Sequence, residues 1–112
     1  MPREEFFPEI ITDLPQADVP LAGVRAYLFQ GEDKQLVFMT FAEDVDVPEH
    51  AHAAQWGAVL HGELELTVNG ETNTYRPGDT YFIPAGAAHS ARIKGGTSVQ
   101  DLFDQVDRYR PK

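Results

Sequence analysis

The side chains in this chain best suited to chemistry are its four histidines, His50, His52, His61 and His89. His50 and His52 flank one alanine, so on an extended chain both imidazoles leave the same face about 7 Å apart along the strand. Two imidazoles on one face can bite a single metal ion. Taken alone, a His-x-His is equally readable as two polar strand residues facing water. The chain has no cysteine. Any metal site must therefore be built from imidazole, carboxylate, amide or water, and thiolate zinc sites and cysteine-held iron–sulfur clusters are excluded.

The elements that position these residues read as short strands separated by turns. Val24 to Gln30, Gln35 to Ala42, Gln55 to Leu60, Thr72 to Arg76, Thr80 to Ile83, Ser90 to Ile93 and Ser98 to Phe103 carry the strand-forming residues. Leu64, Leu66 and Val68 alternate with Glu63, Glu65 and Thr67, which is the period of two of a strand with one wet face. Asn69-Gly70 supplies the positive backbone angles of a two-residue hairpin. Nine glycines and eight prolines suit a fold with many turns. No segment keeps a helical period for more than a turn or two. The expected class is all-β, a sandwich or barrel.

With 112 residues, 42% of them hydrophobic and 24% charged, the chain has the size and composition of one ordinary folded domain. We expect a single domain over residues 1–112, with an extended N-terminal arm at 1–23, a barrel at 24–105 and a C-terminal tail at 106–112. Four prolines (Pro2, Pro8, Pro15 and Pro20) prevent a long helix in the arm, and Phe6, Phe7, Ile10 and Ile11 give it something to bury. The arm would run over the body or pack on a partner subunit, and a symmetric homodimer is expected. Eighteen acidic residues against nine basic ones give a net charge of −9. Such a surface repels phosphate backbones and anionic lipid, so neither nucleic acid nor membrane is an expected partner. No apolar leader or spanning run is visible, and the expected location is the cytoplasm.

The stretch from Asp44 to Gly62, which contains His50, His52 and Gln55, resembles the first motif of the cupin superfamily. That motif is glycine, five residues, His-x-His, three or four residues, glutamate, six residues, glycine. The second cupin motif is similar to Gly78-Asp-Thr-Tyr-Phe-Ile-Pro84-Ala-Gly86-Ala-Ala-His89, which matches every element through the histidine. The fifteen residues from Glu63 to Pro77 give the short spacing of compact members. Three positions depart from the pattern. Asp44 replaces the first glycine, Ile93 replaces the closing asparagine, and Gln55 stands seven residues before Gly62 in the slot of the ligating glutamate.

The resemblance implies a cupin-type double-stranded β-helix, or jelly-roll barrel. It also implies that His50, His52, Gln55 and His89 converge on one divalent transition metal ion, Fe, Ni, Zn, Mn or Cu. Four neutral donors would leave such an ion its full charge, making it a strong Lewis acid that attracts an anionic or chelating oxygen ligand. The implied function is a small mononuclear metalloenzyme acting on a keto acid, sugar acid or diketone by isomerisation, ring opening or decarboxylation. The glutamine-containing ligand set is similar to that of cupins that linearise unsaturated uronates in pectin breakdown. Two alternatives remain open, an Fe(II) dioxygenase and a non-catalytic small-molecule-binding or sensory module.

Other residues weigh less. His61 sits at a turn and reads as a surface histidine. Trp56 points opposite to Gln55 and belongs to the core or a subunit interface. Tyr27, Phe38, Tyr81, Phe82 and Phe103 are candidates for the pocket wall. Asp101 is the candidate catalytic acid or base, with a solvated carboxylate as the alternative. Arg25 and Arg92 are the candidate anion partners.

Overall fold

The computed structural model describes residues 5–112. Nine strands follow a one-turn helix, α1 (Glu9–Thr12): β1 (Val24–Gln30), β2 (Gln35–Phe41), β3 (Val45–His50), β4 (Gln55–His61), β5 (Leu64–Val68), β6 (Glu71–Tyr75), β7 (Thr80–Ile83), β8 (His89–Ile93) and β9 (Thr97–Phe103). All pairings are antiparallel. One sheet has the order β1-β2-β9-β4-β7 and the other β3-β8-β5-β6, the two-layer arrangement of a jelly roll.

Alternation drives the fold. Along β2, Gln35, Val37, Met39 and Phe41 point inward and the residues between them are only half-buried. Val37, Val59, Ile83 and Val99 are almost fully enclosed, each worth about 1.5–3 kcal/mol in apolar burial. At the β5–β6 turn, Asn69 and Gly70 both have positive φ, 49° and 84°, as a two-residue hairpin matched to strand twist requires.

The inner face of the five-stranded sheet is graded. One cross-strand row is Gln35, Phe103, Gln55 and Ile83, and the next is Val37, Asp101, Gly57 and Tyr81. Beyond them Met39, Val99 and Val59 form a row of hydrocarbon only. One end of the barrel is therefore polar inside, and the site lies there.

Two features differ from the sequence expectations. The segment before His50 forms β3 despite Pro48, which is tolerated because β3 is an edge strand with no ladder bond to lose on its open side. The arm is not wholly extended, since Pro8 opens the single turn of α1. Residues 1–4, including Pro2, lie outside the described residues. Phe7 is buried on its own barrel, edge-on to Phe38 and Tyr27, while Ile10 is 81% exposed. The arm then pairs at Gln16 with Tyr27 and at Ala17 with Pro111, which ties it to the C-terminal tail. Among the described residues no helix is long and apolar enough to cross a membrane.

Candidate metal centre

His50 ends β3 and pairs in register with His89, the first residue of β8. A register shift between Val47 and His50 breaks the strict alternation of β3 and re-aims its last residues. His52 comes from the connection after β3, which is held by the Gly86 amide donating to the His52 carbonyl at 2.9 Å. Strand and loop together bring the three rings to centroid separations of 4.2 to 5.1 Å. One nitrogen from each of His50, His52 and His89 falls within 4.8 Å of the others.

The second ring nitrogens explain how the rings are aimed. Nδ1 of His50 faces the Pro48 carbonyl at 2.8 Å, that of His52 the Ala53 carbonyl at 2.7 Å, and that of His89 the Ala87 carbonyl at 2.9 Å. A carbonyl only accepts, so each Nδ1 carries the proton and each Nε2 presents a lone pair. Nε2 of His52 and Nε2 of His89 then stand 3.1 Å apart. Two lone pairs at that distance repel unless a cation lies between them. The spacing matches the ~3.0 Å expected of two adjacent ligands on one octahedral ion with bonds of about 2.1 Å. The donor set fits a borderline transition metal ion.

Burial favours the neutral form of His52 and His89. It lowers the His52 imidazole to about 4, with the Ala53 carbonyl opposing and the Arg108 charge reinforcing the shift. Burial likewise lowers His89. Neither ring carries a proton that an ion must displace at neutral pH.

The three histidines line a cavity of about 220 Å³ whose inner walls are hydrocarbon. Gln55 lines it from β4, and its carboxamide lies by Asp101 and eases that carboxyl downward. Asp101, on β9, is 5% exposed and accepts a hydrogen bond from the Tyr81 hydroxyl at 2.7 Å on Oδ1. Burial dominates and raises the Asp101 carboxyl to about 6, against the pull of Tyr81, Gln55 and Arg108. The Tyr81 phenol is itself pushed well up by burial beside that carboxylate.

The Tyr81–Asp101 bond exists because Gly57 lies between the two strands that carry it. Gly57 is the cross-strand partner of both residues, and a methyl group there would overlap Asp101 Oδ1 and the Tyr81 ring. Gly57→Ala is therefore expected to destabilise the fold by about 1–3 kcal/mol, as overpacking does. Urea unfolding measures it, and a loss below about 0.5 kcal/mol would contradict the account.

Arg108 was not foreseen. The tail returns over the open end of the barrel, where Gln35 clasps Tyr109, accepting from its amide at 3.0 Å and donating to its carbonyl at 2.8 Å. This docks Arg108 at the cavity with its guanidinium 4.6 Å from the Tyr109 ring centre and 5.8 Å from that of Phe103. Its Nε is buried without a hydrogen-bond partner, and among the described residues no carboxylate lies within ion-pairing distance of it. Only tertiary folding reveals this residue, because its place depends on a clasp 73 positions away in sequence, at Gln35.

The remaining candidates separate cleanly. Tyr81 and Phe103 line the cavity. Tyr27 and Phe38 lie beneath Phe7, and Phe82 is exposed on the outer face. His61 is exposed, with Nδ1 donating to the Gly96 carbonyl, and Trp56 is 39% exposed and so is not a core residue. Arg25 pairs with Glu5 and Arg92 with Asp46 at the surface, away from the cavity.

Comparison with known proteins agrees with the fold. The family model described as the cupin domain matches residues 37–102. A protein named oxalate decarboxylase from Arthroderma benhamiae is 32% identical over 106 residues, covering 88% of this chain. The chain spans only 22% of that relative's length. An RmlC-like cupin from Shewanella frigidimarina superimposes with a TM-score of 0.76 at 22% identity, covering 96% of this chain and 97% of that one. KdgF from Halomonas sp. superimposes with a TM-score of 0.71 at 25% identity, covering 82% and 88%.

Proposed function

The chain belongs to the cupin family, and from that premise we propose that it is a mononuclear metalloenzyme acting on a small carboxylate-bearing keto acid or sugar acid. The observation that carries the proposal is the buried, unpartnered Nε of Arg108 at the same cavity as the three lone-pair nitrogens. An arginine fork without a protein carboxylate recognises one from a ligand.

His50, His52 and His89 would hold the ion, with Gln55 as a fourth neutral donor from β4. When bound, a divalent ion there supplies Lewis-acid polarisation of a carbonyl or hydroxyl oxygen. The protein's own groups do the rest. Arg108 grips the substrate carboxylate and fixes which carbon lies beside Asp101. Asp101, at about 6, is largely ionised at neutral pH and still close enough to its midpoint to return a proton. Tyr81 occupies Oδ1, so proton exchange falls to Oδ2. The hydrocarbon floor of the cavity excludes bulk water from the reacting atoms.

Proton transfer at a carbon or hydroxyl next to a carboxylate serves isomerisation and ring opening of a sugar acid. Similarity to a protein named oxalate decarboxylase favours a second reading, loss of carbon dioxide from a small dicarboxylate. Incubating the ion-loaded protein with keto acids, uronates, small dicarboxylates and diketones, followed by NMR, tests both. Carboxylates are expected to turn over and their methyl esters are not. Arg108→Ala should raise KM roughly 30-fold or more, the worth of about 2 kcal/mol for a lost charge-assisted hydrogen bond. Turnover of esters as readily as acids, or oxygen uptake with Fe(II) and a diketone, would contradict the proposal.

A further inference from the structure

The cavity at the three histidines continues well past them. On the four-stranded sheet His50, His89 and Val68 share one cross-strand row. Val47, Ala91 and Leu66 form the next, and Val45, Ile93 and Leu64 the one beyond. Both His89 and Ile93 line the cavity, so it extends four residues along β8, about 13 Å at the rise of a strand. The opposite sheet repeats the gradient, from Asp101 and Tyr81 to the row of Met39, Val99 and Val59. The half that holds the ion, the carboxylate and the proton is polar. The other half takes no part in that chemistry.

Resting on the reading of Arg108 and the histidines as the carboxylate and ion site, we propose that this second half is a subsite for an aliphatic chain. The preferred substrate is then an α-keto acid with an unsubstituted hydrocarbon tail, rather than a sugar acid.

The walls supply the first reason. Among the described residues, no side chain that lines the cavity beyond Asp101 and Tyr81 carries oxygen or nitrogen. Met39, Phe41, Leu64, Leu66, Ile93 and Val99 enclose that half, and the arm adds Val19 and Leu21 to the lining. The backbone supplies the second. Ala91 and Ile93 lie on β8 between β3 and β5, and Val99 lies on β9 between β2 and β4, so ladders flank both strands on each side. A hydroxyl brought there gives up water with nothing to replace it. A sugar acid bears one on nearly every carbon, whereas methylenes lose nothing and gain by leaving water.

Orientation is the third reason. Arg108 and the histidines stand at one end of this space. A molecule held there by its carboxylate and the neighbouring oxygen has its far end directed along the strands, toward Ile93 and Val99. Ala91 keeps the passage open, because it is the small member of the row between Val47 and Leu66. It is the specificity-determining position of the subsite.

Titration calorimetry of the Zn(II)-loaded protein with pyruvate, α-ketobutyrate, α-ketovalerate and α-ketocaproate reads the subsite through binding rather than turnover. Affinity is expected to rise about fourfold for each added methylene, the gain from moving one out of water into an apolar cavity. 2-Ketogluconate has the length of α-ketocaproate and a hydroxyl on every tail carbon. It should bind at least about tenfold more weakly than α-ketocaproate. Ala91→Leu fills the passage and should lower the ratio of α-ketocaproate to pyruvate affinity at least about tenfold. The wild-type series decides the matter without that variant if the larger side chain disturbs folding. A rise of less than about fivefold over the whole series would overturn the subsite, as would 2-ketogluconate binding as tightly as α-ketocaproate. Arg108→Ala separates this outcome from a failure of the carboxylate reading. It should weaken every member alike and leave the increment per methylene unchanged. A flat series that still depends on Arg108 sinks the subsite alone, and a rising series indifferent to Arg108 sinks the carboxylate reading alone. Absence of binding by every member would overturn both.

Discussion

Asp101→Asn is expected to lower kcat by roughly 10²–10⁴, the usual worth of a positioned acid or base, and at the same time to make the metal-free protein more stable at pH 7.5. The second effect follows from the direction of the shift. Asp101 ordinarily titrates at 3.8 and in the fold at about 6, because burial penalises its charged form. At about 1.4 kcal/mol per pH unit, ionising it inside the folded protein costs about 3 kcal/mol. The folded state binds the proton more tightly than the unfolded chain, so the penalty is absent below pH 3.8. It grows through the window from 3.8 to 6 and is complete above 6. Asparagine keeps an oxygen for the Tyr81 hydroxyl and carries no charge to desolvate. Urea melts of metal-free wild type and variant should therefore differ by up to about 3 kcal/mol in the variant's favour at pH 7.5, and converge near pH 4. A variant less stable at pH 7.5 would show that Asp101 is a structural anchor rather than a strained functional group.

Replacing His89 by alanine should abolish stabilisation of the protein by added divalent ions. In the wild type, an ion at about a hundred times its dissociation constant adds about 2.7 kcal/mol, which raises Tm by roughly 10 °C or more for a domain of this size. The variant loses a donor whose lone pair stands 3.1 Å from that of His52. Its affinity should fall at least about 100-fold, the upper range of what even outer hydrogen-bond partners of a ligand cost. Its metal-free form loses less than a core truncation of that size usually does, because the His52–His89 lone-pair repulsion goes with the ring. The His52 imidazole is held at about 4, so protons compete with the ion at that ring only in acid. Thermal melts at pH 7.5 with and without Zn(II) or Mn(II) read the loss. An equal rise in wild type and His89→Ala would place the ion somewhere else.

Much of this architecture was legible in the order of residues. The alternation at Leu64, Leu66 and Val68 and the Asn69-Gly70 turn yield the expected hairpin, with its return strand at Glu71–Tyr75, one residue earlier than the expected Thr72 to Arg76. The spacing of His50, His52 and His89 within two cupin-like stretches anticipated that the three rings share a cavity. What escaped depends on contacts between strands. Pro48 argues against a strand until β3 is known to be an edge. Gly57 is one more strand residue until Asp101 and Tyr81 are found on either side of it. Arg108 lies in a segment with no periodic pattern, and only the Gln35 clasp on Tyr109 carries it to the cavity. Arg25 and Arg92 were the plausible anion partners by sequence because nothing local reveals that Glu5 and Asp46 engage them.

Anomalous diffraction from crystals grown with a single transition metal puts the central claim to its most direct test. The account predicts one strong peak inside the barrel, about 2.1 Å from Nε2 of His50, His52 and His89 alike, with each Nδ1 still turned to its backbone carbonyl. A barrel without a peak there, or one in which the rings have rotated to present Nδ1, would contradict it.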